Sequence, residues 1–460
     1  MTSKLSPISH FLCENIVYKL LSSIFITWLL IDMEIPSLLY LFTALANSYI
    51  IVWFLFSYNN EYYSANKLVN IFLLFFFVIA NALQFAENSI VSSIRITLDA
   101  SDYEKFQLLV FLILILYNGL YLHTRYKKQV FAEKNYSPLI VKNPPIKQPI
   151  LVAISLFALM CVFLYYDFNV FKIMFRGLAE SFAPEMSEST ADEDEGIIGG
   201  LIFSKFLRAM PCMCYIIATI CNWSKKTRFI LFISMLVATF PLGLARNAAA
   251  MYWLPFVLIT LKLLHKPNRF VPAMLIGLLI IFPFLDNFRY FDGTVKFEFS
   301  IDYFNTMNFD ASQEFMIAMK WQTITWGYQL LGALFFFVPR AIWATKPIGS
   351  GAMLASHQPR AFTNIAMPYW GEGYMNFGIL GVVIFTIILA YATAIIDKKY
   401  WKQRHNNIIN INDGYYLIFL GALLFILRGD LMSSFSYTVG TFASYYVVTK
   451  VSSMFKIGKK

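Results

Sequence analysis

Long apolar runs alternate with short polar segments along the whole chain. Each run extends over about 15–22 residues, close to the roughly 20 residues that an α-helix needs to cross a bilayer. The pattern predicts about twelve helices, near residues 16–32, 36–57, 68–86, 106–122, 149–167, 201–222, 229–244, 249–264, 270–286, 373–396, 414–428 and 431–450. The predicted class is an all-α polytopic membrane protein.

Two stretches depart from this alternation. The seventh and eighth runs are only about 15 residues long, so the turn that joins them at 241–247 should lie below the outer surface. This placement puts Arg246 at the floor of a recess. The run 327–338 holds about twelve apolar residues, too few to span a bilayer, and we predict a re-entrant or interfacial helix there.

The runs divide the chain into three parts. Residues 1–286 hold nine predicted spans and an acidic loop at 168–200. Residues 287–372 form one large loop, which is the candidate active-site segment. Residues 373–460 hold the last three spans and a basic tail.

Composition agrees with a membrane protein. The chain is 58% hydrophobic and 14% charged, against roughly a quarter charged in soluble proteins, which excludes an ordinary soluble domain. The net charge of +10 does not indicate nucleic acid, because most cations lie in short loops between apolar runs. The first run contains Lys19 and lacks a small-residue cleavage site, so we interpret it as a retained helix. None of the five cysteines falls in a predicted external loop, so neither a disulfide nor a metal site is expected.

The charges also indicate which loops face the cytoplasm. Starting inside and alternating sides places the basic loop 123–148 in the cytoplasm and the acidic run 185–195 outside. Lys and Arg concentrate in cytoplasmic loops of membrane proteins. With an even number of spans, both termini are predicted to be cytoplasmic and the loop 287–372 to lie on the other side.

This large outer segment is nevertheless rich in cations, which are Arg289, Lys296, Lys320, Arg340, Lys346 and Arg360. Such residues are usually avoided on that side, so an anionic ligand is the obvious explanation. We select Arg246, Arg340, Lys346 and Arg289 as candidates for binding a phosphate or pyrophosphate group, since guanidinium groups bind phosphate bidentately. The alternatives are an Arg246 that reaches the interface and an ordinary loop around Arg340 and Lys346.

Three residues are candidates for proton transfer. Glu372 stands among glycines and aromatics at the start of the tenth run, where an unpaired carboxylate is costly. It is either a general base, a sugar-hydroxyl acceptor or the counter-ion of an arginine. Asp310 and His357 are weaker candidates, because isolated histidines are mostly inert.

Aromatic rings of the same segment suit the apolar faces of sugars. Trp343, Tyr369 and Trp370 are the sugar-binding candidates, together with Asn376, and an interfacial aromatic belt is the alternative. Lys205 and Arg208 lie one turn apart in the sixth run, where they either reach the interface or pair with an acid such as Asp310.

Three stretches resemble the Wzy family of O-antigen or oligosaccharide repeat-unit polymerases. They are Pro241-Leu-Gly-Leu-Ala-Arg246, the run from Phe337 to Gly351 with Arg340 and Lys346, and Gly371-Glu372-Gly-Tyr-Met-Asn376-Phe-Gly378. The number of spans and the large late loop are also similar. A second copy of the Arg340 stretch is not found in the earlier outer loop.

The resemblance implies a fold, a substrate and partners. The fold would be GT-C-like, and the substrate a repeat unit carried on undecaprenyl pyrophosphate at the periplasmic face of the bacterial inner membrane. The partners would be a Wzx-type flippase and a Wzz-type chain-length regulator in lipopolysaccharide biosynthesis.

The hypothesis that follows is a membrane glycosyltransferase that moves the growing glycan onto an incoming lipid-linked unit. The cations would stabilise the departing pyrophosphate, and a carboxylate or imidazole would take the acceptor's proton. No cofactor or metal is expected. The alternatives are an O-antigen ligase, which uses the same donor, and a lipid-linked oligosaccharide flippase.

Overall fold

The computed structural model describes residues 15–57, 61–90, 97–126, 140–142, 146–175, 203–281, 301–357, 365–406 and 408–454. Within them the chain is mostly helical. The α-helices are α1 Ile16–Asp32, α2 Leu38–Leu55, α3 Ala65–Phe72, α4 Ala80–Ala86, α5 Ala100–Tyr126, α6 Gln148–Tyr165, α7 Val170–Met174, α8 Met210–Ile220, α9 Lys225–Ala238, α10 Arg246–Thr260, α11 Phe270–Ile276, α12 Ala311–Lys320, α13 Tyr328–Leu334, α14 Ser350–Ser356, α15 Tyr369–His405, α16 Asp413–Arg428 and α17 Leu431–Met454.

Seven stretches of this structure are long and apolar enough to cross a membrane. They are Leu38–Leu55, Ala65–Ala86, Ala100–Arg125, Gln148–Tyr165, Phe203–Ile220, Lys225–Gly243 and Tyr369–His405. The predicted class, a helical membrane protein, is therefore supported. Each of the other five predicted spans also overlaps a helix, but these helices are shorter or less apolar, so the total of twelve stays a prediction.

One short strand pair was not predicted. Strand β1 (Ile140–Lys142) pairs in parallel with β2 (Ile408–Asn410), with Val141 opposite Ile409. The pair joins the loop that follows α5 to the loop that precedes α16. Sequence periodicity could not reveal it, because three residues are too few for a strand pattern.

The centre of the bundle is formed by α3, a π-helical stretch (Leu73–Ile79) and α4, which together are buried along the whole apolar stretch. At one end of this helix, the carboxylate of Asp397 on α15 accepts two hydrogen bonds on each oxygen. Oδ1 accepts from the Ala65 amide at 3.0 Å and the Tyr416 hydroxyl at 2.7 Å. Oδ2 accepts from the Asn66 amide at 3.3 Å and the Tyr121 hydroxyl at 2.8 Å. Asp397 thus caps the central helix and ties it to α5 and α16.

Replacing Asp397 by asparagine should destabilise the protein by about 2 kcal/mol, because an amide nitrogen then faces two buried donors. We expect a lower midpoint in thermal unfolding of the detergent-solubilised protein. A matched Asn410→Asp exchange on the half-buried strand β2 reverses the chemistry and should have a smaller effect. Equal midpoints for wild type and Asp397→Asn would contradict the capping role.

Two contacts between loops are consistent with the predicted alternation of membrane sides. The Lys320 ammonium lies 3.0 Å from Asp99 and 2.9 Å from Asp102, which links the large loop to the start of α5. At the other end of the bundle, Asn15 exchanges side-chain hydrogen bonds with Asn268. Each contact joins loops that the alternating arrangement places on one side.

The start of α15 folds back on itself. At its kink, Phe377 has φ −144° and Gly378 has φ +62° and ψ −149°, which are not helical angles. Tyr369 donates to the carbonyl of Phe385 at 3.1 Å, although sixteen residues of straight helix would separate them by about 24 Å. Residues 369–376 and 379–386 therefore form a tight helical hairpin. The predicted tenth span at 373–396 was wrong at its start, because the uninterrupted helix begins only after Gly378.

A hydrogen-bonded cap holds α13 on the tip of this hairpin. The Asn376 side chain accepts from the Leu330 amide at 2.8 Å, and its carbonyl accepts from the Gly327 amide at 3.1 Å. Gly327 has φ +87°, a conformation that favours glycine, and it precedes the helix. The predicted short helix within 327–338 is therefore present, with Leu331 and Leu334 exposed.

Candidate active site

Two predicted phosphate-binding cations fold into one compact turn between α13 and α14. The Arg340 guanidinium donates to the carbonyl of Lys346 at 2.7 Å and to that of Pro347 at 3.3 Å. The Lys346 ammonium donates to the carbonyls of Phe336 at 2.6 Å and Val338 at 3.0 Å. We name residues 336–349 the Arg340 loop. These carbonyls orient both cations without neutralising them.

The electrostatics of this turn favour an anion. Partial burial lowers the pKa of Lys346, and the neighbouring positive charge of Arg340 lowers that pKa further. The ammonium form of Lys346 is therefore lost at lower pH than in a free lysine. A bound anion would counteract both effects, since it favours the charged form.

A third cation, Lys205, interacts electrostatically with Lys346. It lies on a π-helical stretch (Phe203–Leu207), and its ammonium is 2.5 Å from the Ser436 hydroxyl and 4.7 Å from the centre of the Tyr437 ring. It is within electrostatic range of both Lys346 and Asp430. The sequence left its role open between the membrane interface and an acid, and its place beside Lys346 depends on how α17 packs.

Glu372, the first proton-transfer candidate, is 2% exposed and has both oxygens engaged. Oε2 accepts from the Ser350 hydroxyl at 2.7 Å, and Oε1 accepts from the Leu431 amide at 2.7 Å. Glu372 thus joins the hairpin, the start of α14 and the start of α17.

Asp430 lies beside this junction and was missed by the sequence analysis. It is half-buried, and a Cβ placed on Gly349 would lie 2.9 Å from its Oδ1, so the carboxylate rests against the end of the Arg340 loop. It interacts electrostatically with Glu372. A signal was available, because Asp430 occupies the short turn between the last two predicted spans, on the side of the large loop.

The structure therefore brings three predicted site residues together, namely Arg340, Lys346 and Glu372, and adds Lys205 and Asp430. We refer to these five residues as the charged cluster. Chemically, it combines cations that suit an anionic group with a half-buried carboxylate, Asp430, that can accept a proton.

Two other phosphate-binding predictions have different outcomes. Arg246 is half-buried at the first residue of α10, and its role stays a prediction. Arg289 lies outside the described residues.

The turn before Arg246 is held by Arg208, whose guanidinium donates to the carbonyls of Ala238 at 2.8 Å and Gly243 at 3.2 Å.

Arg208 also donates to the Tyr166 hydroxyl at 3.1 Å. The suggestion that it pairs with Asp310 was wrong, because Asp310 lies 3.4 Å from Arg428 instead. Asp310 is thus the partner of a half-exposed arginine, and its role in proton transfer stays a prediction. His357 is exposed at the end of α14, with Nδ1 2.8 Å from the carbonyl of Met353.

The four sugar-binding candidates are split between two places. Trp343 is half-buried on the Arg340 loop, edge-on to Tyr328 at 6.1 Å between ring centres, and its role at a sugar stays a prediction. Trp370 is fully buried against Phe72 and Phe77, and its indole N–H donates to Thr386 at 3.1 Å.

Tyr369 and Asn376 are also buried; Tyr369 joins the two arms of the hairpin, and Asn376 donates to the carbonyl of Glu372 in its own arm. In this conformation a sugar cannot stack on Tyr369 or Trp370. Aromatic composition alone could not distinguish packing from recognition, because both use the same rings.

Comparison with known proteins identifies no relative: no protein-family model matches the chain, and neither the curated proteins nor the solved structures include a significant match. Within the described residues, no group of three or more His, Cys, Asp or Glu side chains is placed to hold a metal ion.

Proposed function

We propose that this protein is a Wzy-type polymerase, a membrane glycosyltransferase that joins oligosaccharide repeat units carried on undecaprenyl pyrophosphate. The charged cluster is the observation that carries the proposal. A lipid pyrophosphate needs cations for its headgroup and an apolar surface for its chain, and the transfer needs a base. The cluster and its surroundings provide each of these.

The apolar surface lies directly beside the cations. Phe337 is 67% exposed and Ile342 is 79% exposed, on either side of Arg340 in the sequence. Trp326 and Leu331 are exposed nearby in the same segment. Exposed aromatic and aliphatic side chains next to cations are typical of a segment that lies at a lipid–water interface. An amphipathic lipid with an anionic headgroup fits this arrangement.

The reaction can be described with these residues. The acceptor hydroxyl of the incoming unit loses its proton to a carboxylate as its oxygen bonds to the anomeric carbon of the growing glycan. The bond from that carbon to the pyrophosphate breaks, and its electron pair leaves with the pyrophosphate. Arg340 and Lys346 stabilise the negative charge that develops there, with Lys205 close by.

We place this reaction at the periplasmic face of the bacterial inner membrane, with both termini in the cytoplasm. A Wzx-type flippase would supply the lipid-linked units and a Wzz-type regulator would set the chain length. Twelve spans and a GT-C-like arrangement belong to the same proposal.

Deleting the gene in its host tests this function. A strain without the polymerase should retain lipopolysaccharide that carries a single repeat unit, because single units are still exported and ligated. Gel electrophoresis of the lipopolysaccharide would show the core-plus-one band and no ladder.

Two other outcomes would contradict the proposal. Bare core with polymer stored on the lipid carrier would indicate a ligase, and units trapped in the cytoplasm would indicate a flippase. Periplasmic labelling of a cysteine introduced at Thr345, an exposed position of the Arg340 loop, tests the orientation independently.

A further inference from the structure

We propose that Asp430 is the general base of the transfer, and that Glu372 is a positioning residue that fixes the distance between Asp430 and the Arg340 loop. This inference rests on the proposed glycosyl transfer. Glu372 was the first candidate for this base in the sequence, which did not single out Asp430.

Access to a substrate distinguishes the two carboxylates. A base must offer an oxygen lone pair to the hydroxyl that it deprotonates, at hydrogen-bond distance. Glu372 is 2% exposed, and its two oxygens already accept hydrogen bonds from Ser350 and Leu431. Both donors come from the protein's own framework, so a substrate hydroxyl could reach Glu372 only after one of these bonds breaks.

Asp430 meets the requirement that Glu372 does not. It is half-buried rather than buried, and its Oδ1 accepts from the Ser433 amide at 3.0 Å, which caps the first turn of α17. That bond fixes the carboxylate and leaves Oδ2 as the oxygen that can receive a proton. The carboxylate rests against Gly349, at the end of the loop that carries Arg340 and Lys346.

The neighbouring charges suit this role. The Lys205 ammonium, on the π-helical stretch before α8, attracts the Asp430 carboxylate. The Glu372 carboxylate, on the hairpin, repels the Asp430 carboxylate. Lys205 also interacts electrostatically with Lys346, and Asp430 lies against Gly349 at the end of the Arg340 loop, so the base and the leaving-group cations belong to one site.

Glu372 acts through its neighbours. Its bond to the Leu431 amide fixes the residue that directly follows Asp430, and its bond to Ser350 fixes the residue that directly follows Gly349. One buried carboxylate therefore sets the distance between the base and the Arg340 loop. The transferred proton moves from the acceptor hydroxyl to Asp430 Oδ2, and no step passes through Glu372.

The test uses purified full-length protein in proteoliposomes, with lipid-linked repeat units extracted from the deletion strain. Asp430→Asn keeps an oxygen for the Ser433 amide but removes the base, so turnover should fall about 100-fold or more. Retention of the radiolabelled lipid on the proteoliposomes should stay within about twofold of wild type. Glu372→Gln should instead lower the thermal unfolding midpoint, with a smaller loss of turnover.

Chemical rescue separates a base from a structural residue. Formate, a small carboxylate, should accelerate the Asp430→Ala protein at least about tenfold, by taking the proton that Asp430 would have taken. It should not accelerate Arg340→Ala, which retains the base.

The outcomes distinguish this inference from the function on which it rests. A wild-type protein that forms no polymer would refute the proposed function. If the wild type is active, three results would refute only the assignment of Asp430. They are an Asp430→Asn protein as active as the wild type, an Asp430→Asn protein that loses lipid binding in proportion to turnover, and an Asp430→Ala protein that formate does not rescue.

Discussion

Replacing Arg340 by alanine should abolish the polymer ladder while the protein remains folded and inserted. Arg340 is exposed, so its removal leaves no cavity, and its two hydrogen bonds to the carbonyls of Lys346 and Pro347 stay within one surface loop. Removing one preorganised group that stabilises developing negative charge typically lowers turnover 10²–10³-fold, which is about 3–4 kcal/mol. We expect a loss of this order in proteoliposomes and single-unit lipopolysaccharide in cells.

Lys320→Ala is the matched control for Arg340→Ala. Lys320 belongs to the same large segment and the substitution removes the same charge, but Asp99 and Asp102 already neutralise this lysine. Its loss should leave the ladder intact. A conservative variant, Arg340→Lys, keeps the positive charge but lacks the planar guanidinium group that can bind phosphate through two nitrogens. It should therefore retain only part of the wild-type activity. A normal ladder from Arg340→Ala, or equal losses from Arg340→Ala and Lys320→Ala, would show that a specific cation is not required.

Gly381→Ala should prevent the native fold from forming. A Cβ at position 381 would lie 1.9 Å from the carbonyl oxygen of Gly373, across the helical hairpin. The obstacle is backbone rather than a flexible side chain, so it cannot move without opening the hairpin. We expect a cost of more than about 3 kcal/mol, at or above the upper end of ordinary overpacking.

Gly119→Ala provides the comparison. Gly119 lies within α5, and a Cβ placed there meets nothing within 4 Å. The same substitution should be neutral or stabilise the helix by up to about 1 kcal/mol, through the better helix propensity of alanine. Size-exclusion chromatography of the two variants in detergent, followed by thermal unfolding, measures the difference. A monodisperse Gly381→Ala protein with a wild-type midpoint would refute the tight hairpin.

The positions of the helices could be predicted because hydropathy and length are local properties of the sequence. Each predicted apolar run overlaps a helix, and the short helix within 327–338 was expected because twelve apolar residues cannot span a bilayer. The hairpin at Gly378 was not predicted, because the same glycines are compatible with a straight helix that packs closely.

The candidate site was predictable only in part. Arg340 and Lys346 could be grouped as candidates because cations are unusual in a loop assigned to the outer side. Asp430 was harder to single out, since its place in the charged cluster comes from contact with Gly349, about eighty positions earlier in the sequence. Trp370 shows the opposite error, because an aromatic expected at a sugar is instead a core residue.

The cap that Asn376 provides for α13 has a mechanical consequence. Four residues earlier in the same arm of the hairpin, the Glu372 carboxylate accepts a hydrogen bond from the Leu431 amide at the start of α17. In the proposed enzyme, a lipid tail that displaces α13 would therefore also move Glu372 and, through Leu431, the neighbouring Asp430. Lipid binding and the position of the proposed base would then be coupled through one structural element.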